Sequence, residues 1–200
     1  MRPWKPSRIW PDSQVFVIGG GPSLNDMDLT PILDKPVIGV NDAFKLGNWV
    51  DVCWFGDCRW YAWNKDLLNN FTGIIASCTN CRCDHPRVLQ VKRLEGSGII
   101  VNQPAVRWNK SSGASAINLA AHLGAKQIVL VGFDMKQRDG QNNWHQNHKH
   151  TPRPTIYQSL FLQPFDKIAT DAQRLGIEVL NATPDTDLQV FRKIDLKEVL

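Results

Sequence analysis

The sequence has no apolar run approaching the roughly 18 residues a membrane-spanning helix needs, so no span is expected. Its start, Met1-Arg2-Pro3-Trp4-Lys5-Pro6, is positive but has no apolar segment behind it, which is not the pattern of a secretory signal. The cytoplasm is the expected compartment. Cysteine is too scarce for a disulfide framework: there are 5, an odd count, in a chain of 200 residues that can build its own core. Reduced thiols or a metal site are expected instead. Neither sign of charge dominates. The net charge of +4 permits an anionic substrate without demanding nucleic acid. Repeats, low-complexity segments and long linkers are all missing, so residues 1–200 read as one domain, with 1–13 as an N-terminal extension. Tyrosine is rare at 2, whereas tryptophan is frequent at 8. The tryptophans suit packing, or, more sharply, a stacking surface for a base or sugar.

What is present is a core. Hydrophobic residues make up 42% of the chain, which excludes wholesale disorder. Apolar, β-branched runs read as buried strands at 14–18, 36–40, 50–55, 73–77, 127–131 and 177–180, with shorter ones at 87–92 and 98–101. Helical stretches fall at 59–71, at 112–123 with Gly124 as its C-cap, at 155–175 with an interruption at Pro164, and at 195–200. Residues 137–154 are polar and aperiodic and read as a long loop beside the active site. Short strands alternating with helices imply an α/β fold: a single Rossmann-like, three-layer domain with a mostly parallel sheet. Ligands of such sheets sit at the carboxyl ends of the strands, so the residues there carry the functional expectation.

The first strand ends in Gly19-Gly20-Gly21-Pro22-Ser23-Leu24. Glycines allow close approach of a ligand to the backbone, and a helix start attracts anions, with Ser23 as its cap. The dinucleotide fingerprint is not met, because Leu24 stands at the third glycine position. No Gly-Lys-Ser/Thr follows either, which excludes a Walker loop. The next strand ends bring Asn41, able to read a base or ribose, and Asp57, able to hold a hydroxyl or metal; an Asx turn and a helix cap are the ordinary alternatives. Ser111-Ser112-Gly113 opens a second helix, suited to a phosphate or carboxylate. Asp134 follows the most apolar strand, where a carboxylate can serve substrate or metal.

Two clusters complete the inventory. His145, His148 and His150 crowd the polar loop and suit general acid–base work near neutral pH. Cys78, Cys81, Cys83 and His85 supply four possible zinc ligands, though at a spacing tight for one tetrahedral site.

The ordered set Val17-Ile18-Gly19-Gly20-Gly21-Pro22-Ser23-Leu24, then Val40-Asn41-Asp42-Ala43-Phe44, then Ser111-Ser112-Gly113 running on to Val131-Gly132-Phe133-Asp134, resembles the Rossmann-type bacterial sialyltransferases. It also resembles the broader group of 6-hydroxymethylpterin pyrophosphokinases and motility-associated-factor glycosyltransferases, and most of all the short phage-encoded members of that group. The resemblance runs over most of residues 14–200. It implies a nucleotide site lined by Gly20, Gly21, Asn41, Ser112 and Gly113, and a general base among His145, His148 and His150, with His148 preferred. That base would activate an acceptor hydroxyl against a nucleotide-sugar donor, with no cofactor required. Tyrosines support the leaving phosphate in those enzymes, whereas neither Tyr61 nor Tyr157 falls in a matching motif here.

The leading expectation is therefore a sialyltransferase-like glycosyltransferase with an unknown acceptor, requiring no cofactor for its chemistry and able to form homo-oligomers. One alternative is an ATP- and Mg2+-dependent pyrophosphokinase-like phosphotransferase using Asp42, Asp57 and Asp134. Another is a non-catalytic nucleotide-binding phage accessory or assembly protein.

Overall fold

The computed structural model describes residues 2–145 and 153–199. In chain order the described elements are β1 (Arg2–Pro3), β2 (Gln14–Ile18), β3 (Val37–Val40), β4 (Val52–Phe55), α1 (Cys58–Asn64), β5 (Ile74–Ser77), β6 (Val88–Gln90), β7 (Lys92–Leu94) and β8 (Ala105–Arg107). There follow α2 (Ser112–Leu123), β9 (Gln127–Val131), α3 (Phe165–Leu175), β10 (Glu178–Asn181) and β11 (Arg192–Lys193). Nine strands form one sheet in the order β1-β6-β5-β4-β3-β2-β9-β10-β11. Every pairing in it is parallel. β7 and β8 make a separate parallel pair.

The central strands are apolar on both faces because both faces are covered. Along β2, Val15 and Val17 pack beneath α2 and α3, with Ile117, Leu119, Phe165 and Ile168. Phe16 and Ile18 point the other way, toward Trp60, Tyr61 and Leu68 of the α1 segment and the short 3-10 turns. Each such side chain taken out of water contributes about 1.5–3 kcal/mol. This is the three-layer Rossmann-like arrangement expected from the sequence.

Several local expectations are corrected. Residues 98–101 are not a strand. Gly98 has φ +105°, and side chains take over the backbone partners: Ile99 N–H donates to Asp171 and Ile100 N–H to Asn118. The helix expected over 59–71 stops at Asn64 and continues as a 3-10 turn, Lys65–Asn70. The interruption expected at Pro164 within 155–175 is present, with Pro164 as the N-cap of α3, but the part before it is a π-helical turn, Tyr157–Phe161. The N-terminal extension adds an edge to the sheet: β1 pairs with β6, and Trp10 N–H donates to the Leu123 carbonyl.

The chain runs from β2 outward through β3, β4 and β5, then returns to place β9 on the opposite side of β2. That reversal is the topological switch point where ligand crevices form.

Candidate functional site

A cleft of about 270 Å³ opens at this switch point, over the carboxyl ends of β2, β3, β4 and β9. That is close to the lower end, roughly 300 Å³, of ordinary ligand pockets. Its walls include Gly19, Gly20, Gly21, Asn41, Asp57, Ser111, Ser112, Gly113, Asp134 and His145. The structure thus brings together most residues singled out at the strand ends. Pro22 and Ser23 stand just behind the wall, buried in the 3-10 turn Pro22–Asp26. His148 and His150 lie outside the described residues.

The glycine loop has two jobs. A Cβ at Gly21 would lie 1.7 Å from Asp134 Oδ2, and one at Gly19 would lie 2.5 Å from the Gly132 carbonyl. These two glycines let the β2 and β9 loops pass at close range. Gly20 differs: its Cβ would meet only the Asn143 side chain, at 3.0 Å. Gly20 is therefore the glycine with room for a ligand. Its carbonyl accepts a hydrogen bond from Trp144 N–H, which ties the loop to the segment carrying His145.

Ser23 does not cap a helix as expected. Gly21 occupies the N-cap position, and no α-helix follows. Instead Ser23 donates from N–H and from Oγ to the two carboxylate oxygens of Asp134, at 3.0 and 2.8 Å. Burial pushes the Asp134 carboxyl up, and the Ser23 hydrogen bonds only partly offset that. Asp134 thus faces the cleft while clamping two loops together.

Asn41 has φ +53°, a left-handed conformation that a non-glycine residue rarely adopts. Its Oδ1 is buried with no hydrogen-bond partner among the described residues. Backbone strain and an orphaned polar atom thus coincide at one residue of the cleft. The next residue, Asp42, is buried. It accepts from Lys45 Nζ and, at 2.7 Å, from Trp60 Nε1. Its Oδ2 lies 3.6 Å from His145 Nε2. Burial alone would push the Asp42 carboxyl up. The Lys45 hydrogen bond, His145 and Trp60 outweigh it and leave the group below its ordinary value.

On the far wall, Ser111 caps α2 by accepting from Ala114 N–H at 3.1 Å. Ser112 Oγ accepts from Gly56 N–H at 3.0 Å, which fixes the end of β4 against the start of α2. Asp57 caps α1 through Arg59 and Trp60 N–H, so the capping alternative and the cleft position both hold.

Sequence reasoning missed Trp108, Lys110 and Tyr157, all on the cleft wall. Trp108 carries the Arg93 guanidinium over its ring at 4.1 Å. Tyr157 donates to Asn142 Oδ1 at 3.0 Å, and burial next to Asp134 pushes its phenol up to about 12. No local motif announces it. Trp54 and Trp60 are buried in the core, as the packing reading of the tryptophans has it.

The four zinc candidates do not converge. Cys78 packs on the α2 side of the sheet and Cys83 on the other. His85 is taken up by Asn69 and by the Arg87 N–H. Among the described residues no three His, Cys, Asp or Glu side chains gather as a metal site. Cys78 and Cys83 thus pack on opposite faces of the sheet, and the four residues do not gather round one point. Asp42, Asp57 and Asp134 all line the cleft, each hydrogen-bonded to protein donors, and no metal-ligand group of three gathers there among the described residues. No helix among the described residues is long and apolar enough to cross a membrane.

No protein-family model and no curated protein matches the chain. Two solved structures share its fold. The MAf glycosyltransferase from Magnetospirillum magneticum AMB-1 aligns at TM-score 0.65 and 15% identity, over 96% of this chain. The present chain spans only 35% of that protein. The sialyltransferase CstII from Campylobacter jejuni, solved in complex with the substrate analogue cytidine-5'-monophosphate, aligns at TM-score 0.55 and 15% identity, over 92% of this chain and 85% of that one. At this identity, what the three chains have in common is a fold.

Proposed function

We propose that the chain is a nucleotide-sugar-dependent glycosyltransferase with His145 as its general base. The observation that carries this reading is the His145 imidazole in the switch-point cleft, 3.6 Å from the buried Asp42 carboxylate. A carboxylate beside an imidazole stabilises the imidazolium that forms when it takes a proton. The fold shared with two glycosyltransferases is further support.

In the proposed reaction the donor nucleotide lies along Gly20, Asn41, Ser112 and Gly113. The acceptor hydroxyl gives its proton to His145. Its oxygen bonds to the anomeric carbon of the sugar, and the bond from that carbon to the phosphate oxygen breaks. The leaving phosphate gains negative charge, which the N-terminus of α2 and the Lys110 ammonium stabilise. The Tyr157 phenol, protonated at neutral pH at its ordinary value and pushed further up by burial, can turn its O–H from Asn142 to the same phosphate. None of these steps uses a metal.

The test is a thermal-shift panel with CMP, UDP, GDP, ADP and ATP, each with and without Mg2+, followed by hydrolysis of the corresponding sugar donor. Ligands that bind the folded state raise Tm. A metal-independent rise with a nucleoside mono- or diphosphate is expected. His145→Ala should keep that rise and lose donor hydrolysis about a hundredfold or more, by the usual general-base contribution of roughly 10²–10⁴. A rise with ATP and Mg2+ alone, or with no nucleotide, overturns the proposal. So does full activity in His145→Ala.

A further inference from the structure

Outside the cleft, a second group of reactive side chains stands at the start of α1. The sulfurs of Cys58 and Cys81 both contact the hydroxyl of Thr79, at 3.1 and 3.0 Å. Cys58 is exposed and Cys81 is half-buried, so reagents reach the pair from solvent. The two residues come from different elements. Cys58 is the first residue of α1, and Cys81 follows β5. Cys83 adjoins them but is buried.

We infer that Cys58 and Cys81 form a thiol–disulfide site, in which Cys58 is the attacking thiol and Cys81 the resolving one. The Thr79 hydroxyl holds one proton and so can donate to only one sulfur. Donation to Cys58 leaves the Thr79 oxygen to accept from the Cys81 thiol. This orders the three groups as Cys81 S–H to Thr79 O–H to Cys58 sulfur, which favours the anion at Cys58. The acidities agree. Burial opposes ionisation of Cys58, but bonds from Cys81 and Thr79 outweigh it and hold the thiol below its ordinary value. Burial and the neighbouring Cys58 raise Cys81. Burial, with Cys81 and Cys58 beside it, pushes Cys83 up to about 12, so Cys83 remains a thiol. The thiolate is the reactive form, and exposure decides which thiolate reacts.

The oxidant is a disulfide of the glutathione class. The Cys58 thiolate attacks one of its sulfurs, forming a mixed disulfide and releasing one thiolate. Cys81 then gives its proton to water, and its sulfur attacks that of Cys58. The mixed disulfide breaks, a second thiolate leaves, and a Cys58–Cys81 disulfide remains. The protein loses two electrons and the oxidant gains them. The product ties the first turn of α1, just after the cleft residue Asp57, to the loop beyond β5. The inference is independent of the proposed transferase chemistry.

The test uses 5,5'-dithiobis(2-nitrobenzoic acid) on the folded protein. The native chain should release two equivalents of thionitrobenzoate and retain no adduct by intact mass. Cys81→Ser should release one equivalent and keep the adduct. Cys58→Ser should abolish the fast phase. Trypsin cuts at Arg59, Lys65, Arg82 and Arg87, which puts Cys58, Cys81 and Cys83 in separate peptides. The expected cross-link joins the peptide 46–59 to the peptide 66–82 and disappears in Cys58→Ser. Thr79→Val, close in shape, should move the midpoint of the pH–rate profile upward. A link between 66–82 and the peptide holding Cys83 overturns the inference. So does a stable adduct on the native chain, or two equivalents from Cys81→Ser.

Discussion

Replacing Asp42 by alanine strips three groups of one shared partner. Lys45 Nζ loses its carboxylate, Trp60 Nε1 loses its acceptor, and His145 loses the anion beside it. Breaking a buried ion pair from one side costs about 3–5 kcal/mol, because the remaining charge is left unpaired. Lys45 keeps 22% of its side chain exposed and still donates to Asn64 Oδ1 at 2.9 Å, which pulls the expectation to the low end. At about 3 kcal/mol, a chain of this size should lose roughly 6–12 °C in Tm. Asp42→Asn keeps an acceptor for Trp60 and should lose about half as much. The pH dependence gives a second check. The folded carboxyl titrates below its ordinary 3.8, so its contribution is present above that value and fades as pH falls through the folded one. Calorimetry of native protein and Asp42→Ala at pH 7 and at pH 3 measures both effects. A Tm difference under about 2 °C at pH 7, or one that does not shrink at pH 3, refutes the reasoning.

Three shorter predictions follow from the cleft and its frame. Gly21→Ala would place a methyl group 1.7 Å from Asp134, so it should unfold or severely destabilise the protein; Gly20→Ala, which meets only Asn143, should melt within about 2 °C of the native chain. Ser111→Ala removes the α2 cap and should cost about 1 kcal/mol, or roughly 2–4 °C in Tm, by thermal denaturation. Both tyrosines, Tyr61 and Tyr157, are raised to about 12, so absorbance at the tyrosinate band should not rise near pH 10 while the near-ultraviolet circular dichroism remains native.

The legible parts of the fold are those where burial and local chemistry agree. β2 and β9 are readable because covering both sheet faces makes them continuously apolar. The bounds of α2 are readable because Ser111 caps one end and Gly124, at φ +105°, the other. β8 is short, and only Ala105 and Val106 in it are apolar, so it leaves little pattern to read. Residues 98–101 read as a strand because Ile99, Ile100 and Val101 form an apolar, β-branched run, but the groups that satisfy their backbone come from Asn109, Asn118 and Asp171. In the cleft, residues at strand ends are legible by position. The Ser23–Asp134 clamp spans 111 residues and is not. Tyr157 reaches the cleft from a π-helical turn whose position depends on tertiary packing. The pairing of His145 with Asp42 is equally a product of the fold, whereas the histidine cluster itself stands out in the sequence.

The nine-strand sheet ends at β1 and β11, each two residues long, Arg2–Pro3 and Arg192–Lys193. Pro3 has no N–H to offer, and the other three side chains carry positive charge. A neighbouring chain that tried to extend the sheet would find almost no ladder to join and a like charge waiting at either rim. Short, positively charged rims of this kind disfavour edge-to-edge pairing of one nine-strand sheet with another.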